Sequence, residues 1–303
     1  MRKIIALIAC LSFLCVTLAG CGGENPENSR PVETPAPSPE NEGGGDDDDP
    51  FIWDGDRITG LSRTGEQATE FVIPARCTEI ADFVFSANRW VKRIVFEGAD
   101  TALHENVFME CSSLESIALP AGLAEIPQKA FFHCIELKSV ELPESVALIG
   151  DYAFTECRAL GSVTLPPALE RIGIYAFENC DAIQDLSFPA SLQTIGESAF
   201  SDCDSLENLI FPDGLVEIEA SAFKHCDKLK TLKLPETFRS IGKSAFDKCE
   251  KLETVHLPAS VSEIDSLAFT VYHPYDVYVK EGSWADTSFD TFNYAANMNR
   301  IRY

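Results

Sequence analysis

Positive charge is scarce in this 303-residue chain, which has 24 Lys and Arg residues against 48 Asp and Glu residues. The formal net charge is −24 at pH 7. Nucleic acids and anionic membrane surfaces bind basic protein faces, because contacts to phosphate need Lys and Arg. The composition therefore excludes nucleic acid as a partner and argues against direct adsorption to an anionic bilayer.

Long apolar runs are also scarce, and the longest lies near the N-terminus. Residues 4–18 are almost entirely apolar and follow two basic residues. This run is too short for a comfortable membrane span and is typical of a signal peptide. It ends in Leu18-Ala19-Gly20-Cys21, which resembles the bacterial lipoprotein box. We therefore predict that residues 1–20 are a lipoprotein signal peptide and that Cys21 carries a lipid; the alternative is an ordinary secretory signal with an incidental cysteine.

Residues 21–50 contain no aromatic side chain and are rich in Pro, Gly, Glu and Ser. Such a segment cannot bury enough apolar surface to offset the entropy lost on ordering. We predict a disordered acidic tether. The run Asp46–Asp49 could attract a divalent cation, but adjacent carboxylates on a disordered chain form no defined cage, so a solvated linker is favoured.

A repeat of 23 residues organises the rest of the chain. The spacing holds without insertion or deletion for Phe85, Phe108, Phe131, Phe154, Phe177, Phe200, Phe223, Phe246 and Phe269. A proline column from Pro120 to Pro258 and an isoleucine column from Ile126 to Ile264 follow the same spacing. Such regularity predicts a solenoid, in which each coil buries its apolar side chains against neighbouring coils.

One coil can be followed from Leu137 onwards. Val140 and Leu142 alternate with polar neighbours, which predicts a short strand, and Pro143 ends it by removing a backbone donor. The apolar residues between 149 and 160 recur near the helical period, which predicts a single helical or 3₁₀ turn.

The pattern L-x-x-I-x-L-P-x-x-L-x-x-I-G-x-x-A-F-x-x-C resembles the leucine-rich repeat of BspA-like bacterial surface proteins, over roughly residues 58–282. The resemblance implies a leucine-rich-repeat solenoid with a parallel β-sheet on one face, short helical or 3₁₀ turns on the other, and capped ends. We place about nine coils in residues 51–270 and a C-terminal cap in residues 271–303. The resemblance also implies adhesion-type partners outside the cell, such as host matrix proteins or other bacteria.

Seven cysteines also follow the repeat, each three residues after a phenylalanine: Cys111, Cys134, Cys157, Cys180, Cys203, Cys226 and Cys249. Neighbouring coils would hold their Cβ vectors parallel, which is poor for disulfides, and a line of sulfurs does not converge on zinc. No Cys/His/Asn constellation recurs for nucleophilic catalysis. The favoured interpretation is a column of buried free thiols, with disulfides and a metal site as alternatives. Asn88, in the same column, indicates an added role in bonding a turn backbone, and Cys77 is predicted to lie in the core.

Strand alternation predicts an outward face of small polar side chains, which is the candidate binding face. Its candidate residues are Ser162, Thr164, Asp185, Ser187, Asn208, Ile210, Thr231, Lys233, Thr254 and His256. The third position varies most at Ile210, Lys233 and His256, so the C-terminal half is the preferred contact region. The alternative is that these residue types simply suit an exposed strand.

Aromatic residues cluster near the C-terminus, at Tyr272, Tyr275, Tyr278, Trp284, Phe289, Phe292 and Tyr294. We favour a cap over the open end of the core rather than a platform that stacks on sugars. Trp53 is predicted to cover the other end.

The leading functional hypothesis is a lipid-anchored binding or adhesion module of the bacterial cell envelope, facing outside the cytoplasm, with an extracellular protein or glycan as partner. The alternative is a passive envelope spacer without a dedicated ligand. No Gly-rich phosphate loop, zinc signature, nucleophile elbow or carboxylate pair stands outside the repeat, so we expect no enzyme activity and no cofactor.

Overall fold

The computed structural model describes residues 49–293 and 297–303, which form a parallel β-solenoid. The described residues begin with an antiparallel hairpin of β1 (Phe51–Asp54) and β2 (Arg57–Leu61). Thereafter it alternates long strands of three to five residues with short strands of two.

The long strands are β3 (Glu70–Ile73), β5 (Arg93–Phe96), β7 (Ser116–Ala118), β9 (Ser139–Glu141), β11 (Ser162–Thr164), β13 (Asp185–Ser187), β15 (Asn208–Ile210), β17 (Thr231–Lys233), β19 (Thr254–Leu257), β21 (Tyr275–Val279) and β22 (Met298–Arg302). The short strands are β4 (Glu79–Ile80), β6 (Ala102–Leu103), β8 (Glu125–Ile126), β10 (Leu148–Ile149), β12 (Arg171–Ile172), β14 (Thr194–Ile195), β16 (Glu217–Ile218), β18 (Ser240–Ile241) and β20 (Glu263–Ile264). Two helices, α1 (Trp284–Thr287) and α2 (Phe289–Phe292), lie between β21 and β22. Within the described ranges, no helix has the length and apolar character needed to cross a membrane.

The strands form two families of parallel sheets on different sides of each coil. Short strands β8 to β20 join into one seven-stranded sheet, and β4 and β6 continue from the hairpin in a four-stranded one. The long strands form three segments: β3 to β11, the pair β13–β15, and β17 to β22. The predicted solenoid is confirmed. The short-strand sheet is an addition, because strands of two residues are too short to show an alternation in the sequence.

The segment predicted as a helical turn forms a series of tight turns instead, and no helix occurs within the coils among the described residues. Around Phe154, the residues two before and two after it, Tyr152 and Glu156, have φ of 59° and 63°. Left-handed conformations at both positions interrupt any right-handed helix. The same two positions are left-handed in the eight consecutive coils from Phe83 and Ala87 to Ser244 and Lys248.

Hydrogen bonds between coils explain why these strained conformations persist. The N–H groups of Tyr152, Phe154 and Glu156 donate to carbonyls of the next coil at 2.7–2.8 Å. The intervening N–H groups, such as those of Ala153 and Cys157, donate to carbonyls three residues earlier. Along the turn, N–H groups thus alternate between bonds to the next coil and bonds within the turn. In this way the buried backbone donors have acceptors. A helical turn would use its donors internally and lose the bonds between coils.

Each coil is so close to the next that some positions have no room for a side chain. A Cβ added to Gly150 would lie 2.7 Å from Gln128 N and 2.8 Å from Ile126 O. Both atoms belong to the backbone of the preceding coil and cannot move aside. Close stacking therefore accounts for the glycine at 150, whereas other coils hold Pro127, Glu219 and Asp265 at the equivalent position.

The core is a set of columns in which each side chain packs on its own equivalent. From Phe131 to Phe269 the buried rings stack with centroids 5.1–5.4 Å apart and planes within 9° of parallel. Within one coil Val140, Val146 and Ile149 are at most 3% exposed, and Leu142 is half-buried against the core. The inward pattern predicted from the repeat is confirmed.

The cysteine column is buried, as predicted, and its thiols are free in the described residues. Each Sγ donates to the carbonyl of the phenylalanine 26 residues earlier, at 3.0–3.3 Å, as Cys157 does to Phe131. Asn88 extends the pattern, since its Oδ1 accepts from the backbone N–H groups of Trp90 and Val91 at 2.8 and 3.0 Å. Cys77, 2% exposed, is also part of the core.

Aromatic side chains close both ends, as predicted for most of the group. At the C-terminus Tyr275, Phe289 and Phe292 are at most 3% exposed, and Trp284 stacks on Phe292. At the N-terminus Trp53 packs edge-on against Phe51, with ring centroids 5.7 Å apart. The cap prediction is wrong for two residues: Tyr272 is 66% exposed, and Tyr278 lies on the outward side of β21. Tyr294 lies outside the described residues.

We expect the free energy of unfolding to fall as pH rises from about 8.5 to 9.5, where thiols of the unfolded chain ionise. Burial raises the pKa of Cys111 to about 12 and also raises the pKa of Cys157. The folded state therefore keeps protons that the unfolded state loses, and stability decreases. Each buried thiol contributes about 1 kcal/mol over this interval, because the slope approaches about 1.4 kcal/mol per pH unit only well above the pKa of the unfolded thiol. Urea unfolding at several pH values in a reducing buffer measures it.

The matched variant is Cys157→Ala, which removes one buried thiol from the column. Its loss of stability over the same pH interval should be smaller by about 1 kcal/mol than that of the unsubstituted chain. An identical slope for the two proteins would mean that this thiol ionises equally in the folded and unfolded states.

Candidate functional site

The long strands present their outward side chains on a common face. In β13, Leu186 is 3% exposed, while Asp185 and Ser187 on either side of it are exposed. The same alternation holds in β11, β15, β17 and β19. We call the ten outward residues of these five strands the outer face: Ser162, Thr164, Asp185, Ser187, Asn208, Ile210, Thr231, Lys233, Thr254 and His256. Eight of them are exposed and Thr254 and His256 are half-buried, so the predicted face is confirmed as a surface.

Strand register places equivalent residues side by side and lets them interact. Asn208 Nδ2 donates to Asp185 Oδ1 at 2.6 Å. Thr254 Oγ1 donates to Thr231 Oγ1 at 3.0 Å. These bonds between neighbouring strands fix side-chain orientations on the outer face.

His256 is held at the C-terminal part of the outer face by an aromatic neighbour. Its ring stacks on that of Tyr278, with centroids 4.5 Å apart and planes 10° from parallel. Burial lowers the pKa of His256, and the adjacent Lys233 lowers it further. The imidazole is therefore uncharged at neutral pH, and Lys233 is the one cation among the ten residues of the outer face.

The sheet beneath the outer face is interrupted twice. Before β5, β7, β9, β11, β15 and β19, the residue that precedes the strand donates its N–H to the preceding coil, as Glu207 N does to Gln184 O and Glu253 N to Lys230 O, both at 2.8 Å. The described residues show no such bond from Gln184 N or Lys230 N. The interruptions therefore lie on either side of the pair β13–β15.

Two phenylalanines distinguish this pair from its neighbours. The residue after these strands is Phe188 or Phe211, whereas the flanking coils have Leu165 and Leu234 in the same column. The two rings stack on each other with centroids 5.3 Å apart, and each meets the phenylalanine column edge-on. The interruptions coincide with this stacked pair of larger rings, since they lie on either side of the two strands that carry them. Phe96, a third phenylalanine in this column, has no aromatic partner there and leaves its sheet intact.

A groove of about 590 Å³ opens at the first interruption, between β11 and β13. It lies on the outer face, and Ile210 at its edge is 64% exposed. The lining residues are Val163, Thr164, Leu165, Pro167, Asp185, Leu186, Ser187, Phe188, Pro189, Asn208 and Ile210. A mostly apolar lining with a few polar groups is typical of binding sites.

Half of the predicted residues meet at this groove: Thr164, Asp185, Ser187, Asn208 and Ile210. Thr231, Lys233, Thr254 and His256 lie further along the outer face, beyond the second interruption. Sequence reasoning missed the groove itself, although the change from Leu to Phe at 188 and 211 was a signal for it. Cys21 lies outside the described residues, and so does most of the acidic segment.

The repeats match the family described as "BspA type Leucine rich repeat region", over residues 64–184 and 148–276. A leucine-rich-repeat protein of T. pallidum is 27% identical, with 65% of this chain and 82% of that chain covered and a TM-score of 0.47. A leucine-rich-repeat protein from Bacteroides ovatus is 19% identical, with 84% and 91% covered and a TM-score of 0.42. A leucine rich cell surface protein from Faecalibacterium prausnitzii is 21% identical, with 82% of each chain covered and a TM-score of 0.39. No curated protein matches the chain.

The interruptions predict a contrast in amide hydrogen exchange. The N–H groups of Gln184 and Lys230 should exchange at least about tenfold faster than those of Glu207 and Glu253, because only the latter two are bonded to the preceding coil. Residue-resolved hydrogen exchange at neutral pH measures all four in one protein, so each pair is its own control. Equal protection would contradict the interruptions.

Proposed function

The chain belongs to the BspA type leucine-rich-repeat family, and from this we propose that it is a lipid-anchored protein of the bacterial cell envelope that binds a macromolecular partner outside the cytoplasm. The observation that carries the binding role is the groove beside the 64% exposed Ile210. A single exposed aliphatic side chain is ordinary. An exposed one at the edge of a largely apolar groove is typical of a contact surface.

The proposed location has two supports. The N-terminal run of apolar residues ending in Leu18-Ala19-Gly20-Cys21 resembles a lipoprotein signal, and the repeats resemble those of BspA-like bacterial surface proteins. The acidic tether of residues 21–50 would then separate the solenoid from the lipid at Cys21.

The partner is an extracellular protein or a glycan, and the proposal includes no catalytic step and no cofactor. Rows of small polar side chains, held in register, suit the broad contact that adhesion requires. The strongly negative net charge, −24, disfavours nucleic acid. The competing proposal is a spacer in the envelope, for which the outer face would need no partner.

Substitution of Lys233 and His256 together by Ala should weaken binding about tenfold or more, since both side chains lie on the outer face and neither is in the core. The unsubstituted solenoid is first screened against matrix proteins, glycans and bacterial cells. The affinity of each variant for the captured partner is then measured, with the melting temperature alongside.

The matched control is Arg171→Ala with Thr194→Ala. Arg171 and Thr194 are also neighbours in register, and their substitution also removes one cation, but they lie on the short-strand sheet. The control should bind like the unsubstituted protein. Equal losses in both double variants would contradict the outer face as the contact surface, and the absence of any captured partner would favour the spacer.

Lipidation predicts that the protein made in a bacterial host enters the detergent phase on Triton X-114 partitioning, whereas Cys21→Ala stays in the aqueous phase, because that thiol would carry the lipid. Cys15→Ala, which changes a cysteine inside the apolar run, should partition like the unsubstituted protein. A lipid adduct on the Cys21→Ala protein would contradict the proposal.

A further inference from the structure

We propose that the groove between β11 and β13 takes an apolar side chain from an extended, cationic segment of a partner protein, and that the Asp185 carboxylate pairs with a Lys or Arg beside that side chain. The inference rests on the proposed binding function and narrows its partner to a class of protein.

The groove can accept an apolar side chain because its lining is largely apolar and its depth ends at the core. Leu186 and Phe188, 3% and 5% exposed, close it from inside. Val163 and Pro167 line it nearer the surface, and Ile210 stands at its edge. Its volume of about 590 Å³ is within the range of binding pockets.

Asp185 supplies a negative charge that is already oriented. Asn208 donates to one carboxylate oxygen at 2.6 Å, and no described basic side chain forms an ion pair with Asp185. In the column next to Asp185, the lysines two coils away on either side are paired with glutamates, Lys138 with Glu115 and Lys230 with Glu207. The second carboxylate oxygen is therefore available to a cation from outside.

The net charge of the whole chain also favours a cationic partner. A net charge of −24 attracts cationic segments and repels acidic ones, which favours encounter with a basic partner. An apolar side chain next to a Lys or Arg would satisfy the groove and the carboxylate together.

Two features favour a polypeptide over a glycan. Sugar rings pack on exposed aromatic faces, but the one aromatic ring that lines the groove, Phe188, is buried and the exposed group is the aliphatic Ile210. The interruption also leaves Gln184 N without a bond to the preceding coil. A free backbone donor beside the groove suits the carbonyl of an extended peptide.

The experiment is an array of synthetic hexapeptides with Leu, Phe or Ser at the centre and Lys, Ser or Glu on both sides, probed with the full protein. Lys-flanked Leu and Phe peptides should bind best, and their binding should fall between 0.05 and 0.5 M NaCl, roughly as screening predicts. Asp185→Asn should remove the advantage of Lys over Ser, about three- to tenfold. Ile210→Ser should remove the advantage of Leu over Ser by a similar factor.

Two controls lie on the same sheet surface: Glu141→Gln changes another exposed carboxylate, and Val72→Ser changes another exposed aliphatic side chain, 56% exposed. Both should leave the peptide preferences unchanged. The proposal is overturned if Glu141→Gln acts like Asp185→Asn, if Glu-flanked peptides bind best, or if no peptide binds. It is also overturned if Asp185→Asn and Ile210→Ser abolish binding on a glycan array instead. If a partner fails to bind the double Ala variant of Lys233 and His256 but still binds Asp185→Asn and Ile210→Ser, that result supports the binding function and shows that the groove is not its site.

Discussion

The structure depends on one constraint: each coil must stack, backbone on backbone, on a coil of the same length. The short strands pair in register from β8 to β20, with every residue opposite the one 23 positions away. Because a coil of this size cannot close a core alone, stability comes from repeated contacts between neighbours. An insertion in any coil would shift two columns against each other, and none occurs over the phenylalanine column.

This constraint decides the local conformations as well as the core. Left-handed residues such as Tyr152 and Glu156 cost conformational free energy of about 1–2 kcal/mol each, and bonds to the next coil compensate for it. The cysteine is small enough to stack on itself and still supplies a donor, which explains a thiol where larger residues would not fit. Its regular recurrence therefore follows from packing, and requires neither a disulfide nor a metal.

Sequence periodicity predicted the features that depend on columns. The inward positions of Val140 and Ile149, the free thiol of Cys157 and the outward alternation around Leu186 all follow from spacing alone. Other features depend on geometry that spacing does not encode. The near-helical period between Ile149 and Leu160 arose from stacked turns, because two left-handed residues per coil can bury the same positions as a helical turn. Tyr278 was assigned to the cap from composition, although its strand position places it opposite His256.

The groove arises where the chain departs from its own repeat. Where phenylalanine occurs at 188 and 211, the described residues lack the bonds between coils at Gln184 N and Lys230 N, a cost of about 0.5–1.5 kcal/mol each. The two rings recover a comparable amount, since a stacked aromatic pair contributes about 0.5–1.5 kcal/mol beyond the area that it buries and each ring also meets the phenylalanine column. The exchange is therefore close to neutral for the stability of the solenoid. Stacking restricts every inward position, but it permits phenylalanine in place of leucine at 188 and 211. At this place the otherwise shallow sheet has a groove, and beside it lies the carboxylate of Asp185, which no described basic side chain pairs.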